Sequence, residues 1–215
     1  MSRHRILTTA SEYNGDPILA DEKKGLAVDT GMLDRILAQF DCAEDTHSKT
    51  LFFRFDLRYP DGMKAPQDNI HFRHCISGYC KNLSRKGLAP RYIAVREQKT
   101  PKQNPHYHVA MMLDGQKTRN PHEHLKTADR LWANELGIKT DNPTALGLVC
   151  HCDKDKDGNR VMNGMLIDRT KDNYEDVRAA CIRRASYLAK ENQKAFTPKG
   201  QREYFASKLP KEYRQ

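Results

Sequence analysis

The residues best suited to chemistry are Glu97, His106 and His108, which lie near the turn of a predicted β-hairpin. The stretch 91–113, RYIAVREQKTPKQNPHYHVAMML, alternates with a period of two on both sides of a polar segment that contains two prolines. This pattern is typical of two strands joined by a turn. Residues two apart on a strand share a face, so both imidazoles point the same way and the turn brings Glu97 beside them. Two imidazoles and one carboxylate leave coordination positions open, which predicts a site for a divalent ion that also holds a substrate oxygen.

A second pair, His122 and His124, has the same spacing in a different predicted setting. It follows Pro121 in the stretch PHEHLKTADRLWANEL, whose apolar residues recur at helical spacing. Residues two apart on a helix lie about 200° apart around the axis, so these imidazoles should diverge. Because the chain has 9 histidines, a His-x-His pair is a weak signal by itself. From the hairpin alone, two surface histidines on a half-exposed strand remain an alternative to the metal site.

The composition is that of a polar globular chain with an excess of positive charge. The chain has 215 residues and carries 37 Lys+Arg against 28 Asp+Glu, a formal net charge of +9. This excess favours a polyanionic partner, with nucleic acid as the first choice. We expect no membrane association, because the chain has neither a long basic amphipathic helix nor an apolar run of about 18 residues. The N-terminus lacks the apolar stretch of a signal peptide, so we expect a cytoplasmic protein.

The cysteines give little indication of a metal site. Six cysteines are present without a Cys-x-x-Cys pair, which argues against both a disulfide framework and a zinc ribbon. The one local cluster is Cys150-His151-Cys152. On a strand, His151 would face away from the two sulfurs, and no second ligand pair is evident. Core packing is therefore the favoured interpretation of these thiols.

The rest of the chain predicts a sheet covered by helices. Helices are expected over 29–44, 68–86, 121–136 and 173–196, and further strands over 51–60, 144–152 and 161–168. With the hairpin, this order predicts an α+β fold with a central, mainly antiparallel sheet flanked by helices. The last two strands flank a turn, 153–158, that resembles the first half of a calcium loop. The final glutamate of such a loop is missing, so we expect a solvated hairpin tip.

This organisation predicts a single domain over residues 1–215, which is long enough to bury a full core. Its core is expected at about 50–195, after an N-terminal helical extension, 1–49, whose first 28 residues show little periodicity. The tail 197–215 carries five Lys/Arg against two Glu. Such a composition favours a mobile basic arm.

Two further features could act on an anion. Strand 51–60 has a polar face with Arg54 and Arg58, which is expected to be exposed. On the last predicted helix Tyr187 lies beside the buried stripe rather than in it. Its neighbours on that shoulder are three cations, Arg183, Lys190 and Lys194. The plain alternative is an amphipathic tyrosine at the edge of the core.

In combination, these features resemble the HUH endonucleases, and most closely the rolling-circle replication initiators (Rep proteins) of filamentous phages and related prophage elements. The resemblance covers roughly residues 50–195. It rests on the apolar strand LFFRFDLRYP, the His-x-His strand PHYHVAMML preceded by Glu97, and the Tyr-x-x-Lys helix SYLAK, in the expected order. Conjugative relaxases instead have a tyrosine near the N-terminus and three histidines at the metal. Here the tyrosine comes last and a glutamate precedes the histidines, so the initiator branch fits better.

The resemblance implies a ferredoxin- or RRM-like antiparallel sheet with the metal on one face and the tyrosine helix beside it. Glu97, His106 and His108 would hold Mg²⁺ or Mn²⁺. Tyr187, assisted by Lys190, would attack the phosphate and leave a 5′-phosphotyrosine and a free 3′-OH. The implied partners are single-stranded DNA or an origin hairpin in a bacterial host cell, and a host helicase.

Several points stay open at this stage. The DNA backbone is expected to follow four cations, Arg54, Arg58, Arg183 and Lys194. A catalytically silent DNA-binding module of the same fold is one alternative, and a zinc-structured interaction protein built on Cys150, His151 and Cys152 is another. The oligomeric state and the participation of a second tyrosine, Tyr174 or Tyr204, are also open.

Overall fold

The fold is α+β, as the order of predicted elements indicated, with a six-stranded, mainly antiparallel sheet flanked by helices at its centre. The computed structural model describes residues 5–98, 100–155, 157–191 and 196–213. Within these residues the strands are β1 (Leu7–Thr8), β2 (Glu12–Tyr13), β3 (Asp16–Pro17), β4 (Val28–Asp29), β5 (Lys49–Leu57), β6 (Arg91–Glu97), β7 (His106–Asp114), β8 (Val149–Cys150), β9 (Met165–Asp168) and β10 (Tyr204–Ala206). The α-helices are α1 (Thr30–Thr46), α2 (Ile70–Arg85), α3 (His122–Glu135) and α4 (Tyr174–Ala185).

Three long strands, β5, β6 and β7, form the middle of the sheet. The strand order is β10-β6-β7-β5-β8, and β9 also pairs with β5. Asp56 on β5 lies opposite His108 on β7, and Glu97 on β6 lies opposite His106 on β7. Side chains directly opposite each other point to the same face of a sheet. The register therefore places all four of these side chains on one face.

Helices cover both faces of the sheet, because each face carries an apolar set of side chains. The face of Phe53 and Phe55 packs against α2 and α3. The opposite face, that of Phe52 and Met112, packs against α1 and α4 and is called the α1/α4 face below. The predicted metal ligands lie at one end of this α1/α4 face.

The first three helices begin and end within two residues of their predicted bounds. α1 starts after Asp29, whose Oδ1 accepts a hydrogen bond from the backbone N–H of Met32 at 3.2 Å. Such a side chain satisfies one of the free N–H groups of a first helical turn. The predicted divergence of the second histidine pair is confirmed, because His122 is exposed whereas His124 is buried against Thr118.

The prediction that the polar face of β5 is exposed is wrong for Arg54, which is only 7% exposed. The chain around α4 covers this face, and Arg54 Nη1 donates to the carbonyl oxygen of Arg184 at 3.3 Å. Arg58 follows the last residue of β5 and is exposed, as predicted. The polar face of β5 is therefore buried along the strand, and only Arg58, which follows the last residue of β5, reaches solvent.

The predicted hairpin of strands 144–152 and 161–168 is also wrong. Both β8 and β9 pair antiparallel with β5, at opposite ends of that strand, and therefore run in the same direction. Between them the side chain of Asn163 takes the place of a strand, because its amide accepts from Arg54 N and donates to Arg54 O, at 2.9 and 2.8 Å. The intervening loop has a bridge between Lys154 and Arg160, so its predicted turn is present.

The last helix is shorter than predicted. α4 ends at Ala185 and is followed by a 3-10 turn, Ser186–Ala189, after which Lys190 has an extended backbone with ψ 136°. Lys190 forms a bridge with Val28, and this pairing with β4 replaces the helical hydrogen bonds. Lys194, predicted on the same helix, lies outside the described residues.

The C-terminal segment contributes to the sheet, so the prediction of a mobile basic arm is wrong for residues 204–206. There β10 pairs with β6, and Phe205 packs into the core beside Phe72 with ring centroids 4.7 Å apart. The two aromatic residues of β10 gain burial at the edge of the sheet. Among the described helices, none combines the length and the apolar character that crossing a bilayer requires.

Candidate metal centre and tyrosine site

The three predicted metal ligands meet at the end of the α1/α4 face. The β6–β7 register sets Glu97 beside His106, and His108 follows two residues later on the same face. Glu97 Oε2 lies 3.0 Å from His108 Nε2 and 3.8 Å from His106 Nε2. The two imidazole rings are nearly perpendicular, with centroids 4.8 Å apart. Each ring thus presents a nitrogen to the same carboxylate.

This donor set fits a divalent cation. Two ligands at right angles, each about 2.1 Å from Mg²⁺, are about 3.0 Å apart, which matches the separation of Glu97 Oε2 and His108 Nε2. Glu97 is 1% exposed, and its other oxygen, Oε1, is buried without a hydrogen-bond partner among the described residues. A buried carboxylate oxygen without a partner is costly in a protein interior. A cation bound between these side chains would remove that cost.

The charges of the three side chains depend on one another. Burial alone lowers the pKa of His108, but the contacts with Asp56 and Glu97 outweigh burial and raise it. Burial raises the pKa of Glu97, but the hydrogen bond with His108 and the charges of His108, Lys190 and His106 together outweigh burial and lower it. The pKa of His106 falls to about 4, through burial and then through the charge of His108. His108 therefore lies between two carboxylates that favour its protonated form, and a cation at Nε2 would take the place of that proton.

Asp56 is a site residue that sequence reasoning missed. Its Oδ1 lies 2.7 Å from His108 Nδ1, on the side of the ring opposite to Glu97. Burial raises the pKa of Asp56, but the close contact with His108 and the charges of His108, Arg54 and Arg58 together outweigh burial and lower it to about 2. A carboxylate at the outer nitrogen of a metal-ligating histidine fixes the tautomer and the ring orientation. Asp56 could have been noticed as an acid on the polar face of its strand, but its register with His108 is not evident from the sequence.

Tyr187 lies over the same end of the sheet, although it belongs to a 3-10 turn rather than to the predicted helix. Its ring meets the His108 ring edge-on, with centroids 5.2 Å apart. The guanidinium carbon of Arg54 is 4.5 Å from the ring centroid, and Lys190 Nζ is 3.5 Å from it. The predicted tyrosine and two of the predicted cations, Arg54 and Lys190, are thus brought together at the candidate metal site.

The surroundings of Tyr187 act on its hydroxyl in opposite directions. Its pKa is raised, first by burial and then by the negative charges of Glu97 and Asp56, while the charge of Arg54 lowers it. The pKa of Lys190 is lowered by burial, against the charge of Glu97. A divalent cation on Glu97 would offset the charge that opposes the phenolate. Ionisation of Tyr187 is therefore coupled electrostatically to the charges of Glu97 and Asp56 at the candidate metal site.

The remaining predicted cations differ in position. Arg58 is exposed, and its charge lowers the pKa of both Asp56 and His106. Arg183 is also exposed, and no described contact joins it to the site residues. Its neighbour Arg184 is the one that faces the site, since Nη2 donates to the carbonyl oxygen of Cys152.

The two thiols of Cys150 and Cys152 are half-buried beside Asp56 rather than packed in the core, so the favoured interpretation from the sequence is wrong. The predicted orientation of His151 is confirmed, because its Nε2 turns away to Asp129 Oδ2 at 2.9 Å. β8 brings these cysteines to the site by pairing with the end of β5.

The fold and the site together define an α+β protein with a candidate divalent-metal centre, a carboxylate behind one histidine ligand, and a tyrosine against the same ring. The chain belongs to the YagK/YfjJ C-terminal domain family, whose sequence profile matches residues 8–205. The matched segment contains every site residue named above. Neither the curated proteins nor the solved structures include a match to this chain.

Proposed function

We propose that this protein is a metal-dependent endonuclease that cuts and rejoins single-stranded DNA through a 5′-phosphotyrosine intermediate. The observation that carries the proposal is the contact of the Tyr187 ring with His108, a member of the Glu97, His106 and His108 donor set. A nucleophile beside a divalent-metal site, in a chain of formal net charge +9, suits attack on a phosphodiester. Its resemblance to rolling-circle initiators extends the proposal to replication of a phage, prophage or plasmid in the bacterial cytoplasm.

The proposed ligands are the carboxylate of Glu97 and the Nε2 atoms of His106 and His108. Bound Mg²⁺ or Mn²⁺ would polarise the scissile phosphate and offset the negative charge that develops on it. The carboxylate of Asp56 lies 2.7 Å from His108 Nδ1 and favours the proton on that nitrogen, which would leave Nε2 in the unprotonated form that a ligand needs. The ligands supply nitrogen and carboxylate oxygen, which suits Mn²⁺ well and Mg²⁺ with waters completing its shell.

Tyr187 is the proposed nucleophile. Its phenol loses a proton, Oη forms the bond to phosphorus, and the bond from phosphorus to the 3′ oxygen breaks. The 3′ oxygen leaves as a hydroxyl after taking up a proton, so atoms and charge balance. The phosphodiester is exchanged for a phosphotyrosine ester, and attack by a 3′-OH reverses the step without ATP.

Two cations support the developing phenolate in this proposal. Lys190 lies 3.5 Å from the centroid of the Tyr187 ring, and Arg54 lies 4.5 Å from it. A tyrosine of ordinary pKa about 10 needs such charge to react at neutral pH. Because Lys190 is only 6% exposed, little water competes for its charge.

The accessible side of the site favours an unpaired strand. Glu97 and His108 are buried, and the His106 side chain, at 23% exposure, is the most accessible of the three ligands. A phosphate must therefore approach along the His106 side and close to the sheet. The phosphates of a flexible single strand can enter such a confined position. The phosphates of a duplex are held at a fixed distance from the duplex axis and cannot approach the sheet as closely.

The decisive experiment uses labelled single-stranded DNA and Mn²⁺, followed by a denaturing gel for a covalent adduct. The wild type should form the adduct, and Tyr187→Phe should lose it while DNA binding persists. Tyr204→Phe is the matched control, because the Tyr204 hydroxyl donates to Asp29 Oδ2 at 3.0 Å, away from the metal site. Tyr174, the other alternative nucleophile, donates to Glu44 Oε2 at 2.5 Å.

Metal dependence is tested in the same assay. His106→Ala should abolish cleavage, and His122→Ala, which changes an exposed histidine on α3, should leave cleavage unchanged. A wild type that binds DNA but forms no adduct with any divalent metal would refute the proposal and favour the silent DNA-binding module. An adduct that survives in Tyr187→Phe would refute the assignment of the nucleophile.

A further inference from the structure

Two cysteines outside the proposed catalytic set converge on Asp56, the carboxylate that also contacts His108. Cys150 on β8 lies directly opposite Asp56 on β5, so both point to the α1/α4 face. Cys152 follows two residues later, after the backbone has turned. One potential ligand atom from each of Asp56, Cys150 and Cys152 lies within 4.8 Å of the other two. Two cysteines separated by one residue on an irregular segment need not lie near a third potential ligand. The convergence with Asp56 is therefore a result of the fold and not of the spacing alone.

The loop that carries the thiols is held in a specific conformation. Cys152 has φ 51°, in the left-handed region, which is uncommon for a residue other than glycine and requires support from its surroundings. The carbonyl of Cys152 accepts from Arg184 Nη2, and the carbonyl of His151 accepts from Asn163 Nδ2. Arg184 on α4 and Asn163, which is itself bound to the backbone of β5, thus fix the turn that brings the second sulfur near Asp56.

The donor types select the kind of ion. Thiolate sulfur binds Zn²⁺ and other thiophilic metals and is a poor ligand for Mg²⁺ and Mn²⁺. Two thiolates and one carboxylate carry three negative charges. With Zn²⁺ bound, the site therefore keeps a net charge of −1. Arg54 and Arg184 lie close enough for their charges to act on Cys152 and Asp56, so the remaining charge is compensated.

We propose that Asp56, Cys150 and Cys152 form a second metal site, which binds Zn²⁺ and adjoins the Glu97, His106 and His108 centre through the contact of Asp56 with His108. The ion ties the loop after β8 to β5, the strand that also carries Arg54. Three protein ligands leave a fourth position for water. This proposal does not depend on DNA cleavage, and its test does not use it.

The test is a titration of the reduced full-length protein with Co²⁺ as a spectroscopic substitute for Zn²⁺. The wild type should show the sulfur-to-cobalt charge-transfer absorption, and added Zn²⁺ should abolish it. Cys150→Ser/Cys152→Ser should lack the band, whereas Cys80→Ser, at a half-buried cysteine on α2, should retain it. His106→Ala should retain it too, which separates the two centres.

A second measurement avoids any substitution. Alkylation of the wild type, mapped by mass spectrometry, should be slowed by Zn²⁺ at Cys150 and Cys152 and unaffected at Cys80. The proposal is overturned if the reduced wild type gives no charge-transfer band, if the band persists without the two thiols, or if Zn²⁺ protects neither of them.

A different observation supports a second proposal, about a surface. An open groove lies between α2 and β10, and its floor includes Tyr92 and Phe205. Five exposed cations line it: Arg73, Lys81, Arg85, Arg202 and Lys208. Among the described residues, the lining contains no carboxylate. The three on α2 follow the helical spacing of four residues, with Ser77 between Arg73 and Lys81, so they share one face of that helix.

We infer that this groove, on the α2 side of the sheet, binds the phosphate backbone of DNA that flanks the cleaved strand, a proposal that shares its ligand with the proposed function. The segment from Lys208 to Arg202 runs along β6 toward the end of the sheet that carries Glu97. A row of unopposed cations suits a row of phosphates. Arg54 is buried, so an exposed phosphate track is expected here rather than along β5.

The test is the salt dependence of binding to a hairpin oligonucleotide. Arg73→Ala/Lys81→Ala/Arg85→Ala should reduce the slope of log K against log salt by about 0.9 for each lost duplex contact. Arg119→Ala/Arg130→Ala/Lys139→Ala removes the same charge from exposed positions elsewhere and is the control. Equal slopes in the two variants would overturn the groove assignment, and adduct formation on a short single strand reports separately on the proposed function.

Discussion

Asp56 gives the sharpest test of how the metal centre is organised. Its Oδ1 lies 2.7 Å from His108 Nδ1, and the residue is only 7% exposed. If His108 binds Mn²⁺ through Nε2, its other nitrogen must carry the proton, and Asp56 stabilises that tautomer. Replacing such a carboxylate typically lowers metal affinity by about 10–100-fold, or about 1.4–2.7 kcal/mol. We therefore expect weaker Mn²⁺ binding without the loss of any direct ligand.

The two possible substitutions should differ in size. Asn keeps an oxygen that can accept the Nδ1 proton and loses only the charge, so Asp56→Asn should fall near the tenfold end of that range. Asp56→Ala also loses the acceptor and should fall near the hundredfold end. Isothermal titration with Mn²⁺ measures both affinities directly, and denaturant unfolding checks that each variant is folded.

A matched control is available in the same protein. Asp129 is a buried carboxylate that contacts His151 Nε2 at 2.9 Å, in a pair outside the metal centre. Asp129→Asn should leave Mn²⁺ affinity unchanged. If Asp56→Ala binds Mn²⁺ as tightly as the wild type does, then His108 is not held by Asp56 as a ligand, and the reasoning fails.

Two further pairs of substitutions test burial and backbone strain. Arg54→Ala removes a buried guanidinium that packs on Tyr187 and should reduce the free energy of unfolding by about 1–3 kcal/mol. Arg58→Ala, at an exposed position, should change it by less than about 0.5 kcal/mol. Gly164→Ala should destabilise by more than about 1 kcal/mol, because φ is +108° and the new Cβ would lie 2.5 Å from a proline carbon. Gly78→Ala, in open space on α2, should stabilise by roughly 0.5–1 kcal/mol. Denaturant unfolding measures all four, and an inverted order within either pair would contradict the corresponding argument.

The sequence predicted that the side chains of Glu97, His106 and His108 would lie together, because their placement depends on local rules. The period of two puts His106 and His108 on one face, and a short turn returns Glu97 to the same end. In the structure the pairing of Glu97 with His106 follows from that hairpin alone. Helices with a clear apolar stripe and a capping residue, such as α1 after Asp29, were equally predictable.

Features that depend on long-range pairing could not be predicted in the same way. The contact of Asp56 with His108 depends on the register of β5 against β7, which are joined through a whole helix and another strand. The end of α4 depends on Lys190 pairing with Val28, more than 150 residues earlier in the chain. Helical periodicity carries no information about a distant strand that competes with the helix for the backbone of Lys190. The predicted helix therefore continued past Ala185.

The shortened helix has a consequence for the proposed chemistry. In a regular helix, Tyr187 and Lys190 would be three residues apart on one surface and free to adopt several rotamers. Here the 3-10 turn and the bridge to β4 bury Lys190 to 6% exposure, with Nζ 3.5 Å from the centroid of the Tyr187 ring. The cation is thus held against the ring before any substrate is bound, and its charge acts where water is scarce. Burial of Tyr187 itself raises its pKa, so the proposed nucleophile depends on the cations around it, including the one expected on Glu97.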